Sequence, residues 1–227
     1  MDRQPPNRRT VLRGGVLLAA SALVGTAACS TPASPATTPE PTMTPTPTEG
    51  TAASRTLLAF FSRAGENYYY GGRKDLQVGN TEVLARMISE LIDCDEHRIE
   101  AADPYPASYD ATVRRNVDEQ DADARPAIAN PLPSIEQYDV VLLGSPIWNV
   151  RAPMIMSTFT DSYDFTGKSV HPFVTYAVSG LGSTVRDYAA SCPGARIGEG
   201  LPVRGEEVPQ HRADVESWLR AAGLRTA

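Results

Sequence analysis

The residue types best suited to bind an anion lie in two short segments, residues 62–65 and 79–81, which a Tyr- and Gly-rich segment separates. The first segment follows an apolar run directly, and the second opens a helical pattern with Asn80 and Thr81. Backbone N–H groups at a helix N-terminus are unpaired and lie at the positive end of the helix dipole. Together the two segments predict one phosphate-binding loop with an insertion inside it.

The first segment supplies the hydroxyl group of Ser62 and the guanidinium of Arg63, which are both suitable partners for phosphate oxygens. No Gly-Lys-Ser/Thr sequence follows, and the GxGxxG spacing of a dinucleotide-binding turn is missing. Because clusters of Ser, Gly, Asn and Thr also form ordinary strand-to-helix turns, these segments alone leave phosphate binding and a plain turn both open.

Two further loops carry residues that suit a flat ligand. Residues 145–152 place Trp148 at the end of an apolar strand, where a planar ligand can stack on the indole or the indole can cap the core. Residues 179–183 contain Gly180 and Gly182, which allow either close approach to a ligand or a simple turn. Neither loop is decisive by itself.

Strands and helices must alternate to position these loops. Apolar runs predict strong strands at 55–62, 138–144 and 169–178 and weaker strands at 96–100 and 195–201. Periodicity and capping residues predict helices at 80–92, at 109–119, from 153, before Cys192 and at 210–222. The alternation predicts an α/β fold, a three-layer doubly wound five-stranded parallel sheet, with ligands at the carboxyl ends of its strands.

The N-terminal region predicts export and a membrane tether. Arg8 and Arg9 precede an apolar run too short to span a bilayer comfortably, which is typical of a twin-arginine signal peptide over residues 1–29. The run ends at Cys29 in a sequence that resembles a bacterial lipobox, so we expect lipidation of Cys29. Thr26 is a departure from the lipobox, which usually has Leu at that position. The alternative is ordinary cleavage after small residues, with Cys29 incidental.

A Pro/Thr-rich disordered linker is expected over residues 30–54, followed by a folded domain over 55–227. This order predicts an extracytoplasmic protein, anchored to the outer face of the cell membrane through its N-terminal lipid only. The formal net charge of −6 argues against nucleic acid as a partner. Scattered His and Cys residues indicate no metal site, while a bridge between Cys94 and Cys192 stays open.

The three loops in combination resemble the flavodoxin family, specifically its subgroup with a long insertion in the phosphate-binding loop. The resemblance covers about residues 55–222. Beyond the first-loop segments, it includes DPYPASY at 103–109, QDADARP at 120–126, Tyr138-Asp139, Pro146-Ile147-Trp148, YDFTGK at 163–168 and SGLGS at 179–183.

This resemblance implies the strand order 2-1-3-4-5 and non-covalently bound FMN. It places the phosphate on Ser62, Arg63, Ala64, Asn80 and Thr81. It places the isoalloxazine ring against Pro146, Ile147, Trp148 and Asn149, with Ser179, Gly180 and Gly182 closing the other side. Since the flavin carries the chemistry, no catalytic side chain is expected.

The functions that follow are oxidoreduction or electron transfer outside the cytoplasm, with a redox partner protein or a small electron donor or acceptor. An NAD(P)H-dependent quinone or small-molecule reductase is an alternative. A second alternative is a non-redox surface binding protein, for which the Tyr-rich insertion would be a contact surface rather than a lid over the flavin.

The loop at 148–151 departs from the subgroup, which commonly has Trp-Trp-Gly-Thr there. Where flavodoxins use Gly to reach positive φ, this chain has Asn149 and Val150, and Asn tolerates that conformation better than Val. Arg151 is expected either to place positive charge near the ring or to point into solvent.

Overall fold

The computed structural model describes residues 55–224 and 226. The predicted signal peptide, Cys29 and the linker lie outside these residues. Within the described part of the chain, no helix has both the length and the apolar character needed to cross a bilayer.

The described residues form eight strands, five α-helices and one 3₁₀-helix. The strands are β1 (Thr56–Phe60), β2 (Gly65–Tyr69), β3 (Gly72–Leu76), β4 (Asp95–Arg98), β5 (Val140–Pro146), β6 (Ser169–Tyr176), β7 (Arg196–Ile197) and β8 (Leu201–Arg204). The α-helices are α1 (Asn80–Ser89), α2 (Tyr109–Asp121), α3 (Met154–Asp161), α4 (Thr184–Ser191) and α5 (Arg212–Ala221), and the 3₁₀-helix covers Gly205–Gln210.

The main sheet is parallel, with the order β4-β1-β5-β6-β7, and β8 also pairs with β6. Since β7 and β8 occupy one edge in succession, they are a single interrupted fifth strand. The order is therefore the predicted 2-1-3-4-5, and the α/β prediction is confirmed. Every residue of β1 is buried, as expected for a strand covered on both faces.

Alternate residues of the central strands belong to two different apolar clusters, one on each face of the sheet. Leu57 and Val141 belong to the cluster that includes α3 and α4 residues, whereas Leu58 and Leu142 belong to the cluster with α1 and α5 residues. This alternation follows from the two-residue period of a strand. The three-layer arrangement is thereby built from the strands outward.

The two clusters also separate the cysteines of the domain. Cys192 is buried in the first cluster, and Cys94 packs against the second. A bridge between them would have to pass through the sheet, so the structure excludes this pairing. Burial raises the pKa of each thiol to about 11, which makes both unreactive at neutral pH.

The segment between the two halves of the predicted phosphate loop is an antiparallel hairpin formed by β2 and β3. Its two-residue turn has Tyr70 at φ 46° and Gly71 at φ 84°. Positive φ at both central residues is the signature of a type I′ turn, whose twist matches that of the flanking strands. The sequence predicts an insertion here but not its β-structure.

Candidate functional site

A cavity of about 340 Å³ opens at the carboxyl ends of β1, β5 and β6. This volume is within the range of small-molecule and cofactor sites, about 300 to 1,000 Å³. The predicted site residues that line it are Ser62, Arg63, Asn80, Thr81, Pro146, Ile147, Trp148 and Asn149. Ala64, Ser179, Gly180 and Gly182 were also predicted, and they are not among the lining residues.

Gly79 allows the two halves of the divided loop to meet. A Cβ atom at this position would lie 2.3 Å from Ser62 Oγ and 2.5 Å from the carbonyl oxygen of Arg63. The Ser62 hydroxyl accepts a hydrogen bond of 3.1 Å from the backbone N–H of Glu82, in the first turn of α1. The strand end and the helix N-terminus therefore form one continuous loop, although the hairpin separates them in sequence.

The N-terminus of α1 offers donors to an anion. In the described part of the chain, the backbone N–H groups of Asn80 and Thr81 have no protein acceptor. The Thr81 hydroxyl shares a hydrogen bond of 2.7 Å with the hydroxyl of Thr175 at the end of β6. This bond uses the proton of only one of the two hydroxyl groups, so the proton of the other hydroxyl group can be donated to a ligand. Unpaired N–H groups, a hydroxyl and the helix dipole together fit a phosphate group.

Arg63 is engaged mostly with the protein itself. Its guanidinium donates to the carbonyl oxygens of Pro106 and Ala107, at 2.9 and 3.1 Å, and also to that of Glu66. Burial lowers the pKa of the Arg63 guanidinium. Its Nε is buried without a partner among the described residues, so this N–H is left for an anion. Arg63 thus fixes the hairpin base and retains limited capacity toward a phosphate.

Trp148 both caps the core and faces the cavity. Its ring meets Phe61 edge to face, with centroids 5.7 Å apart, and meets Tyr105 similarly at 5.1 Å. Such T-shaped contacts fix the orientation of an aromatic ring. The indole is half-buried, and the surface that it turns to the cavity is a fixed wall for a planar ligand.

Residues 148–151 form a tight turn with two strained positions. Trp148 and Arg151 exchange backbone hydrogen bonds, and between them Asn149 and Val150 have φ values of 48° and 62°. Gln120 of α2 holds this turn from one side. Its side chain donates to the carbonyl oxygen of Trp148 at 3.2 Å and accepts from the Asn149 side chain at 2.8 Å.

The third loop supports the same turn from the other side. The Ser183 N–H donates to the carbonyl oxygen of Val150 at 2.8 Å, and a Cβ at Gly182 would lie 2.1 Å from that oxygen. Gly182 is thus required for contact between two loops. Arg151 lies 3.8 Å from Asp187 of α4 and is absent from the cavity wall. Its pairing with Asp187 differs from one of the two positions expected from the sequence, a side chain that points into solvent.

The cavity has walls that the sequence does not predict. One is the face of α2, which contributes Tyr109, Thr112, Val113, Asn116 and Val117. The others are Asn67 and Tyr68 of the hairpin, Thr175, Tyr176 and Ala177 at the end of β6, and Gly205 and Glu206. The sequence predicts a strand that extends to residue 178, whereas β6 ends at Tyr176. The lining residues at the end of β6 therefore precede residues 179–183, the loop that was expected to contact the ligand.

The family comparison agrees with this geometry. The sequence profile of the family described as Flavodoxin matches residues 76–221, which is more than half of the chain. The chain belongs to the flavodoxin family. No curated protein matches its sequence.

Solved structures of similar proteins cover most of this flavodoxin-family domain. A presumed flavoprotein from Bacteroides eggerthii is 26% identical and covers 76% of this chain and 99% of its own, with a TM-score of 0.60. One from Bacteroides uniformis is 29% identical, with coverages of 74% and 98% and a TM-score of 0.58. A Lactobacillus acidophilus flavoprotein in complex with FMN is 20% identical, with coverages of 70% and 98% and a TM-score of 0.50. This last likeness shows the shared fold.

Proposed function

We propose that this protein is an FMN-dependent oxidoreductase of the flavodoxin type that transfers electrons outside the cytoplasm. FMN is the cofactor, and it supplies the redox chemistry when bound. The observation that carries the proposal is that both halves of the phosphate loop and Trp148 line the same cavity. An anion cradle beside a fixed aromatic surface suits a ligand that has a phosphate at one end and a planar ring at the other.

The chain's own residues have separate tasks in this proposal. The N–H groups of Asn80 and Thr81, the Thr81 hydroxyl and Arg63 Nε would hold the phosphate. The turn containing Trp148 and Asn149 would orient the ring and exclude water from one side of it. Ser62 keeps the loop closed through its hydrogen bond to α1.

The proposed location rests on the N-terminal sequence alone. Arg8 and Arg9 before a short apolar run support twin-arginine export, and Cys29 supports a lipid anchor. The partner would then be a redox protein or a small electron donor or acceptor outside the cytoplasm. Labelling with a lipid precursor, compared between the wild-type chain and Cys29→Ala, tests the anchor.

A visible spectrum of the purified protein, followed by FMN addition and reductive titration, tests the proposed function. We expect flavin absorbance that stays with the protein through gel filtration. Loss of all flavin on gel filtration, even after FMN addition, would contradict the proposal. The titration also shows whether electrons enter in two single steps or as a pair, which separates an electron shuttle from a reductase.

One observation favours a small-molecule reductase as a second candidate. Val113 and Val117 line the cavity on successive turns of α2 and are 42% and 40% exposed. Exposed apolar side chains at a cavity mouth suit a small apolar electron acceptor such as a quinone. Rapid reduction of the flavin by NADH or NADPH, followed by turnover with a quinone, would favour this candidate over a shuttle.

A further inference from the structure

Glu206 is a buried carboxylate in the cavity wall. It lies in the first turn of the 3₁₀-helix and is only 8% exposed. Among the described residues, its side chain accepts one hydrogen bond, from the backbone N–H of Tyr70 at the hairpin tip, at 2.9 Å. A buried carboxylate with so few donors is energetically unfavourable, so its placement needs a physical account.

No basic side chain of the described residues neutralises Glu206. Nearby Arg204 lies 3.9 Å from the carboxylate of Glu207, and His211 also lies beside Glu207, at 3.7 Å. The two adjacent glutamates therefore differ. Glu207 is in an ion-pair cluster away from the cavity wall, whereas Glu206 lines the wall and has no basic partner among the described residues.

The residue that precedes Glu206 lies at the phosphate end of the cavity. The 3₁₀-helix packs against α1, and a Cβ at Gly205 would lie 2.5 Å from the Asn80 side-chain nitrogen. Asn80 is the first residue of α1, where the unpaired N–H groups lie. Glu206 therefore lines the cavity one residue away from this contact with α1, beside the helix end where a bound phosphate would lie.

We propose that Glu206 is a specificity-determining residue that competes with the cofactor phosphate for the cradle at the N-terminus of α1. This inference rests on the proposed function, since it takes FMN as the ligand. Two negative charges in a partly buried site repel each other strongly enough to change affinity by about tenfold or more. Glu206 therefore lowers the affinity for a phosphorylated flavin. The same carboxylate also stabilises the hairpin tip by accepting the hydrogen bond from Tyr70 N–H.

Riboflavin separates this effect from every other contribution of Glu206, because it has the same ring and ribityl chain as FMN but lacks the phosphate. The test is a binding cycle with the purified protein, in which flavin fluorescence quenching gives the Kd of FMN and of riboflavin. Glu206→Gln is the principal variant, since its amide oxygen can still accept from Tyr70 N–H. Glu207→Gln is the matched control, because it removes a neighbouring charge that does not line the cavity.

We expect Glu206→Gln to lower the Kd of FMN by about tenfold while changing that of riboflavin by less than about twofold. Glu207→Gln should change neither. Glu206→Ala provides a second variant if the Gln protein folds poorly, and it should show the same selective gain for FMN.

Three outcomes would overturn the inference. One is an unchanged or higher FMN Kd in both Glu206 variants. Another is an equal weakening of both flavins, which would make Glu206 an acceptor for ligand hydroxyl groups. The third is an equal gain in Glu207→Gln. If the wild-type protein bound neither flavin, the proposed function itself would fail. This result differs from tight flavin binding in which the Glu206 variants change the Kd of FMN no more than that of riboflavin.

Discussion

At the scale of single residues, Val150 is the clearest case of local strain. It is held at φ 62° by the contacts of its carbonyl oxygen with Gly182 and Ser183, while its side chain is 57% exposed. The left-handed region costs a residue with a Cβ about 1–2 kcal/mol, and a β-branched side chain is poorly suited to it. The exposed side chain recovers little of that cost through packing.

We therefore predict that Val150→Gly stabilises the protein by about 1 kcal/mol, after the extra freedom of Gly in the unfolded chain is included. Val178 offers a matched control, because it is also an exposed loop valine, at 75%, but is not at positive φ. Val178→Gly should lower stability by about 0.5–1 kcal/mol. Urea unfolding of both variants measures the difference, and equal effects of the same sign would contradict the strain argument.

Arg63 illustrates what sequence can and cannot give for a single residue. Its type and position predicted a phosphate partner, and it does line the cavity. Two of the three carbonyl groups that accept from it lie more than 40 residues away, at Pro106 and Ala107. No local pattern indicates such an engagement, because it depends on how the hairpin base meets the segment before α2.

At the scale of elements, the hairpin is attached to α2 rather than standing free. The Glu66 carboxylate accepts from the N–H of Tyr109, the first residue of α2, at 2.9 Å. Arg73 makes a two-pronged contact with Asp110, at 2.9 and 2.6 Å, and lies over the Tyr109 ring. The insertion thus helps to position the helix that forms one wall of the cavity.

We predict that Arg73→Ala loosens the hairpin without unfolding the domain. Exposed ion pairs contribute little to global stability, so the expected change is a local rise of roughly twofold to fivefold in the hydrogen exchange of hairpin amides. Lys74→Ala is the control, because among the described residues the only ion-pair or aromatic contact of Lys74 is with the Tyr69 ring. An equal rise in both variants, or none in Arg73→Ala, would show that the pair does not hold the hairpin.

Elements with a strong apolar period were predictable, and polar ones were less so. The patterns of β1, β5 and α1 follow directly from burial on the sheet, and their positions agree with the prediction. In contrast, the buried residues of α2 are Thr112, Asn116 and Glu119, so the sequence shows no apolar stripe that indicates which face turns inward. Its role as a cavity wall follows from tertiary contacts alone.

At the scale of the whole molecule, each face of the sheet contains a histidine that packs against an aromatic side chain of the apolar cluster on that face. His97 stacks on Phe159 of the first cluster, at 6.1 Å between ring centroids, and its Nε2 is buried without a partner in the described part of the chain. His171 packs against Trp218 of the second cluster. Burial lowers the pKa of both imidazoles below the ordinary value of 6.5, and Arg196 lowers that of His171 further.

The sign of the resulting pH dependence follows from these directions. Below about pH 6.5 the unfolded chain binds protons at both histidines more readily than the folded protein does, so stability falls as the pH is lowered. Above that pH both states hold neutral imidazoles and the dependence disappears. The carboxyl groups with lowered pKa values, Asp110, Asp123 and Asp164, act only at still lower pH.

We therefore predict that the urea midpoint decreases between about pH 7 and about pH 5, with a slope of at most one proton per histidine. His97→Phe should flatten this slope, because the ring that cannot be protonated keeps the stacking on Phe159. His171→Phe should flatten it further, since the two side chains lie on opposite faces of the sheet and contribute independently. A midpoint that is constant over this range in the wild-type protein would mean that both imidazoles are protonated as easily in the core as in the unfolded chain.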